Sequence, residues 1–168
     1  LTSAQRVIPL DGEPGPELVL LALAATAHHA VIAAQGPLPD LVVGHGVMGR
    51  LIARIIVAMG GMPMVWETHA DRRLGAMGYL VRDPGYCKGQ QFDCIVDASG
   101  AGHQLDTWMT SLNPGGQIVL AGFYSQPLHF QFVPAFLRES QLKVAAQWQP
   151  ADLTAVAEMV QDGRLSLS

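Results

Sequence analysis

The sequence is short of charge and of cysteine. Only 14% of its 168 residues are charged, the formal net charge is −4, and no run of lysine or arginine is longer than the pair at 72–73. A surface that binds nucleic-acid phosphates needs clustered cations, so we expect no nucleic-acid partner. Its two cysteines, Cys87 and Cys94, cannot build a disulfide framework or a four-thiolate zinc site. They indicate reduced thiols in a cytoplasmic protein.

A long, uninterrupted apolar run is also missing. Residues 18–34 are mostly apolar, but His28 and His29 interrupt them and no basic residue flanks them. A spanning helix needs about 20 apolar residues, so we expect no transmembrane segment, and no signal-peptide pattern is present. The chain begins with Leu1, and its last residues, "GRLSLS", have the pattern of a strand start. We therefore expect a piece of a longer protein, whose weakly charged surface favours a partner such as a second copy in a homodimer.

What the sequence does contain is a regular alternation of short β-branched runs with stretches of helical spacing. Such alternation predicts an α/β fold, a Rossmann-type doubly wound parallel sheet. The predicted strands are at 41–43, 62–67, 78–81, 92–98, 117–123 and 142–146, and "NPGG" at 113–116 is predicted as a turn. The predicted helices are at 16–34, 46–59, 70–76, 102–112, 134–139 and 150–163.

Three glycines follow the first predicted strand with the spacing G-x-G-x-x-G. Gly44 permits a tight turn, Gly46 lets the backbone approach a pyrophosphate, and Gly49 allows the next helix to pack closely on the sheet. The N-terminus of that helix adds partial positive charge for the phosphates. The motif alone is weak, because glycines used only for a turn give the same pattern.

An acidic residue ends the next predicted strand. Glu67 lies eighteen residues after Gly49, where a carboxylate can bond the ribose hydroxyls of a dinucleotide and repel a 2′-phosphate. This favours NAD over NADP. Two alternatives stay open: Glu67 is only a solvated strand end, or Arg72 and Arg73 accept a 2′-phosphate instead.

Several motifs, in this order, resemble the nucleotide-binding domain of the medium-chain dehydrogenase/reductase superfamily: "GHGVMG", "VWE", "RRLGAMGY", "FDCIVDASG" and "LNPGGQIVLAGFY". Further blocks, "LLALAATAHHAV", "PAFLRE" and "WQPADL", resemble the bacteriochlorophyllide a dehydrogenases within it. The resemblance implies NAD-dependent oxidation of the 3-(1-hydroxyethyl) group of a chlorophyllide or bacteriochlorophyllide a, a tetrapyrrole pigment, to acetyl in bacteriochlorophyll biosynthesis. It also implies a two-domain enzyme, with residues 1–37 ending the catalytic domain and 38–168 forming a truncated NAD-binding domain that is inactive alone.

The resemblance also implies a set of cofactor-binding residues. Carried over by position, they are Gly44, His45, Gly46, Val47, Met48, Gly49, Glu67, Arg72, Ala98, Ser99, Gly100, Gly122 and Phe123. No metal ligand is expected, because the histidines and cysteines have no zinc spacing.

No catalytic residue can be named from the sequence. The weak candidates are His45, Tyr124, His28 and His29. The helix histidines could coordinate the pigment's magnesium or relay a proton, but a hydrogen-bonded helix histidine is the more common case. His45 could face the cofactor. Tyr124 and Phe123 could form an apolar surface beside a flat pigment, or they could merely pack against neighbouring loops.

Two further polar residues follow the fourth predicted strand. Ser99 could bond the cofactor or cap the following helix. Asp97 has the position of a structural carboxylate more than of a base.

Three other functions compete with this one. A different medium-chain alcohol or polyol dehydrogenase would share every motif of the nucleotide-binding domain. An S-adenosylmethionine methyltransferase has a similar glycine turn and acidic strand end, although "DASG" fits a dehydrogenase better. A non-catalytic NAD-sensing module is the third possibility.

Overall fold

Buried β-branched runs build the centre of the molecule. The structure, a computed structural model, describes residue 7 and residues 15–168. The pattern "QRVIPLDGEPGP", residues 5–16, predicts an extended start, most of which lies outside the described residues. Among these described residues all strand pairs are parallel, and the six strands lie in the order β3-β2-β1-β4-β5-β6. The strands are β1 (Leu41–Val43), β2 (Met64–Trp66), β3 (Leu80–Arg82), β4 (Phe92–Asp97), β5 (Leu112–Leu120) and β6 (Gln141–Val144).

Helices cover both faces of the sheet. They are α1 (Leu21–Ala33), α2 (Val47–Ala58), α3 (Leu105–Thr110), α4 (Phe132–Leu137) and α5 (Pro150–Gln161). Successive residues of a strand point to opposite faces. Accordingly Val42 packs in the core with α1, α2 and α5, whereas Leu41 and Val43 pack in a second core with α3. The predicted doubly wound α/β fold is confirmed.

The strand order creates a crevice. The chain moves outward from β1 through β2 to β3, and then returns to place β4 on the other side of β1. The loops after β1 and β4 therefore diverge at the carboxyl edge of the sheet, where ligands of this fold class bind.

Some local predictions were wrong. The helix predicted at 70–76 is only a 3-10 turn at Ala70–Arg73, because Gly75 and Gly78 adopt positive φ angles of 79° and 80°. The helix predicted from residue 16 begins as a 3-10 turn, Pro16–Leu20, before α1.

Two further predictions were wrong, one within β5 and one at the end of the chain. The predicted "NPGG" turn lies inside β5: Phe92 pairs with Leu112 but Cys94 pairs with Gln117, so the segment bulges out of the ladder. Residues 163–168 contain no strand, although Leu165 and Leu167 are buried.

Within the described part of the chain, no helix combines the length and apolarity needed to cross a membrane. Both cysteines are free thiols, and burial raises the pKa of Cys94 to about 12, so this thiol stays protonated.

Candidate functional site

A cleft of about 180 Å³ opens at the carboxyl edge of β1, β2 and β4. This is the crevice that the strand order creates. Six of the residues predicted to bind a cofactor line it, namely Gly44, Gly46, Glu67, Arg72, Ala98 and Ser99. The rest of its lining is Val43, Trp66, Thr68, Pro84, Ala101 and Gln104, which the sequence reasoning missed. The sequence signal for four of them is their place at a strand end or two residues after one, since Val43 and Trp66 end β1 and β2 and Thr68 and Pro84 follow β2 and β3.

The three glycines of the turn have different surroundings. Gly44 has a φ of 93°, which favours glycine. A Cβ on Gly49 would lie 1.9 Å from the carbonyl oxygen of Gly44, so the close approach of α2 to the turn excludes any side chain there. A Cβ on Gly46 would meet no atom of the described residues within 4 Å. The protein itself therefore does not require glycine at position 46.

The N-terminus of α2 opens beside Gly46. Gly46 is its N-cap residue, and no side chain caps this end of the helix. The first N–H groups of a helix have no partner within the helix, and they carry partial positive charge. Open space above Gly46 and an uncapped helix of twelve residues together make a place where a phosphate group fits.

Glu67 lies at the end of β2, lines the cleft and is only 5% exposed. Its Oε2 accepts a bond from the backbone N–H of His45 at 3.0 Å, and its Oε1 accepts one from the N–H of His69 at 2.8 Å. Burial raises the pKa of Glu67, but these bonds and the His69 ring outweigh burial, so the pKa lies below its ordinary value. Glu67 is therefore ionised near neutral pH.

The two adjacent arginines have separate roles. The guanidinium of Arg73 donates to the carbonyl oxygens of Glu67 and Thr68 and forms an ion pair with Asp83 at 2.5 Å. Arg72 lines the cleft, and its guanidinium has no hydrogen-bond or ion-pair partner among the described residues. Arg72 is thus the cation that remains free for a ligand, whereas Arg73 fixes the loop.

His45 lies inside the glycine turn, but its ring does not line the cleft. The side chain is 1% exposed. Nδ1 lies 2.6 Å from the carbonyl oxygen of Arg72, and Nε2 lies 2.8 Å from the hydroxyl of Tyr79. Burial lowers the pKa of His45, which keeps the ring neutral. In this position the imidazole would not contact a ligand bound in the cleft.

Asp97, at the end of β4, is a hydrogen-bonded structural carboxylate, as its position suggested. It is fully buried and accepts bonds from Ser99, from the N–H of Gly100 and from the hydroxyl of Tyr124. Burial, together with the nearby charge of Asp97, raises the pKa of Tyr124 far above its ordinary value. Tyr124 therefore keeps its proton and ties the loop after β5 to the loop after β4.

His28 and His29 are held by one carboxylate on another helix. Their Nδ1 atoms lie 2.7 Å and 3.0 Å from the two oxygens of Asp152, at the start of α5. Both residues of α1 therefore link two helices, and neither lines the cleft. Both are therefore hydrogen-bonded helix histidines in the structure.

The remaining predicted residues lie around the cleft without lining it. Val47 is exposed on the first turn of α2, and Met48 packs against the core. Gly122 and Phe123 line a neighbouring depression of about 280 Å³ at the ends of β5 and β6, and Gly100 lines another cleft with Tyr124. The ring of Phe123 is 92% exposed.

In the part of the chain that the structure describes, no three histidine, cysteine or acidic residues are arranged to hold a metal ion.

Two curated relatives match nearly the whole chain. It is 52% identical over 168 residues, 99% of its length, to the 2-desacetyl-2-hydroxyethyl bacteriochlorophyllide A dehydrogenase of Rhodobacter capsulatus. It is 48% identical over 169 residues to the enzyme of the same name from Cereibacter sphaeroides. The matched regions are 54% and 53% of those proteins, so the chain spans about half the length of the curated relatives it matches. No protein-family model matches the chain.

Solved structures share the fold at low sequence identity. A thermostable alcohol dehydrogenase of Pyrobaculum aerophilum has a TM-score of 0.79 at 21% identity, over 98% of this chain and 52% of its own. An alcohol dehydrogenase of Escherichia coli complexed with NADH has a TM-score of 0.76 at 20% identity, over 89% and 48%. A dehydrogenase of Sinorhizobium meliloti bound to NADP has a TM-score of 0.77 at 17% identity, over 95% and 52%.

The resemblance drawn from the sequence motifs is thus confirmed. Nearly the whole chain is similar to bacteriochlorophyllide A dehydrogenases, and the match covers about half the length of each of them. Solved alcohol dehydrogenases share its fold.

Proposed function

We propose that this chain is the coenzyme-binding half of an NAD-dependent dehydrogenase that oxidises the 3-(1-hydroxyethyl) group of a chlorophyllide or bacteriochlorophyllide a to acetyl. The observation that carries the proposal is the 52% and 48% identity to two dehydrogenases named for such a substrate. We assign residues 38–168 to the coenzyme domain and residues 1–37 to the end of a catalytic domain with its linking helix.

The edges of the cleft offer a place for each part of a dinucleotide. Gly46 and the uncapped N-terminus of α2 would hold the pyrophosphate, because no atom of the described residues occupies the space above Gly46. The ionised Glu67 would bond the adenosine ribose, and Ala98 and Ser99 in the cleft, with Gly100 beside them, would border the second ribose. Thus the carboxyl ends of β1, β2 and β4 would each contribute one part of the coenzyme site.

NAD is favoured over NADP by the charge at the end of β2. A 2′-phosphate placed beside the ionised Glu67 would meet a carboxylate that is 95% buried and therefore poorly screened. Arg72 would attract the phosphate, but its exposed guanidinium is screened by solvent. The repulsion therefore outweighs the attraction.

A nicotinamide coenzyme, when bound, would supply the redox chemistry by taking a hydride from the carbinol carbon, with the hydroxyl proton released to water. The residues of this chain orient the coenzyme and border the pigment. Phe123 presents an exposed ring at the end of β5, where a planar tetrapyrrole could lie against it.

A homodimer is the proposed assembly. β6 is an edge strand, and exposed apolar residues on it and on α4, among them Val144, Phe132 and Phe136, offer a surface for a second copy. Sedimentation would test this assembly, and a monomer at all concentrations would contradict it.

Calorimetric titration of the protein at its full natural length tests the coenzyme assignment. NADH should bind more tightly than NADPH, and S-adenosylmethionine should not bind. Binding of S-adenosylmethionine alone would indicate a methyltransferase, and tighter binding of NADPH would overturn the reading of Glu67. NADH binding without turnover of any alcohol would leave the sensing module as the better description.

A further inference from the structure

A buried histidine inside a phosphate-binding glycine turn needs an explanation. We propose that His45 is a positioning residue that sets the coenzyme preference, by holding the Glu67 carboxylate and the backbone of Arg72 in one hydrogen-bonded arrangement. The inference rests on the proposed function, because it concerns how the same cleft distinguishes NADH from NADPH.

The partners of His45 fix the tautomer of its ring. The carbonyl oxygen of Arg72 can only accept a hydrogen bond, so Nδ1, 2.6 Å away, carries the proton. Nε2 is then bare and accepts from the hydroxyl of Tyr79 at 2.8 Å. The Tyr79 ring packs edge-on against the imidazole, with 5.6 Å between the ring centroids. Burial lowers the pKa of His45 and raises the pKa of Tyr79, and both shifts favour this arrangement of protons.

The backbone of His45 reaches the acidic residue of the cleft. Its N–H donates to Oε2 of Glu67 at 3.0 Å, while the N–H of His69 holds Oε1 at 2.8 Å. The carboxylate thus has a fixed orientation at the end of β2. A shift of the turn at His45 would move or release this oxygen.

The side chain of His45 reaches the basic residue through its backbone. The carbonyl oxygen of Arg72 accepts from Nδ1 of His45 and from Nη2 of Arg50 at 3.0 Å. Arg50 also donates to the carbonyl oxygens of Leu74 and Gly75. The loop that carries Arg72 is therefore fixed at several carbonyls, while the Arg72 guanidinium itself has no partner among the described residues.

Coenzyme preference depends on where this cation lies relative to the Glu67 carboxylate. If the loop were released from His45, the Arg72 guanidinium could move toward a 2′-phosphate. If the turn were displaced, the Glu67 carboxylate could rotate away from that phosphate. Both changes reduce the penalty for NADPH more than they affect NADH. The loss of the histidine should therefore reduce the preference for NADH over NADPH, and not simply the affinity for both coenzymes.

The test compares the dissociation constants of NADH and NADPH in the full-length protein and its variants. The preference is expressed as the Kd for NADPH divided by the Kd for NADH. His45→Leu should reduce this ratio roughly tenfold, the effect of one buried hydrogen bond. Asn places an amide donor near the position of Nδ1, so His45→Asn should restore the ratio to within about threefold of the wild-type value. Side-chain ¹⁵N spectra should show the proton on Nδ1 of His45.

Tyr79→Phe is the matched control. It removes one hydrogen bond from the same buried ring but leaves the bond to Arg72, so it should lower stability and keep the ratio. If His45→Leu does not fold, Arg50→Gln, which releases the same loop carbonyls, should reduce the ratio instead.

Three outcomes would overturn the inference: an unchanged ratio in folded His45→Leu or Arg50→Gln, an equal change in Tyr79→Phe, or a proton found on Nε2. A wild-type protein that binds neither coenzyme would instead overturn the proposed function, since no ratio would exist to be changed.

Discussion

Gly46 and Gly49 lie three residues apart in one turn, yet a side chain on each would meet different atoms. At Gly49 a Cβ would overlap the carbonyl of Gly44, whereas at Gly46 it would enter open space. Gly49 therefore serves the fold, and only a ligand can explain a need for glycine at position 46. This difference separates a phosphate cradle from a turn that merely required glycine.

Gly46→Val should weaken NADH binding at least 100-fold, because the valine side chain would fill the space assigned to the pyrophosphate. The unfolding free energy should fall by only about 1 kcal/mol, because valine is a poorer N-cap residue than glycine, while position 46 has an extended φ of −73° and no described atom near a Cβ. Calorimetry and urea unfolding measure the two quantities. Gly49→Ala is the contrasting variant and should lose several kcal/mol of stability. Unchanged NADH affinity in Gly46→Val would show that the turn is only structural.

Phe123→Ala should raise the KM for the hydroxyethyl pigment roughly tenfold, because the exposed ring can stack on a planar macrocycle. The KM for NAD should change little. Phe132→Ala, which removes an exposed ring from α4, is the control and should leave the pigment KM at its wild-type value. An unchanged KM for the pigment in Phe123→Ala would contradict a contact between this ring and the pigment.

At the scale of elements, one carboxylate joins two helices. Asp152 is 1% exposed, binds both histidines of α1, and accepts from the backbone N–H of Gln149 at the start of α5. Burial raises the pKa of Asp152, but these hydrogen bonds outweigh burial and leave it below its ordinary 3.8. The ionised form therefore stabilises the α1–α5 contact.

Asp152→Asn should lower the unfolding free energy at pH 7 by about 2–4 kcal/mol, because a buried, fully bonded charge is lost from its partners. A depressed pKa contributes stability above the unfolded value and loses it as the pH falls through the folded value. The gap between variant and wild type should therefore close below about pH 3.8. Asp162→Asn, an exposed acid paired with Arg164 after α5, should behave like wild type. A gap that persists in acid would contradict this role.

The elements also show where sequence reasoning succeeds. The β1–turn–α2 unit was predictable because its buried strand, its glycines and its apolar helix face all follow from local pattern. The 70–76 segment was not, because helical spacing there is overruled by two glycines with positive φ. The free Arg72 and the tied Arg73 are adjacent and chemically identical, so only the folded loop distinguishes them.

For the whole molecule, acidification should lower the free energy of unfolding in successive steps. Burial lowers the pKa of His45 below its ordinary 6.5, so its contribution to stability is complete above pH 6.5 and is lost as the pH falls through the folded value. Glu67 and Asp152 follow below their ordinary 4.5 and 3.8. Urea unfolding across this range should show an early decline that His45→Asn removes. Stability that rises on acidification from pH 7 would contradict the buried, neutral histidine.

The proposed reaction of the full-length protein is hydride transfer from a pigment alcohol to NAD. A hydroxyethyl pigment with deuterium on its carbinol carbon, incubated with the protein and NAD, would reveal this transfer. We expect acetyl pigment and a reduced coenzyme that carries the deuterium. Acetyl pigment formed without deuterium in the coenzyme, or no reaction with either NAD or NADP, would contradict it.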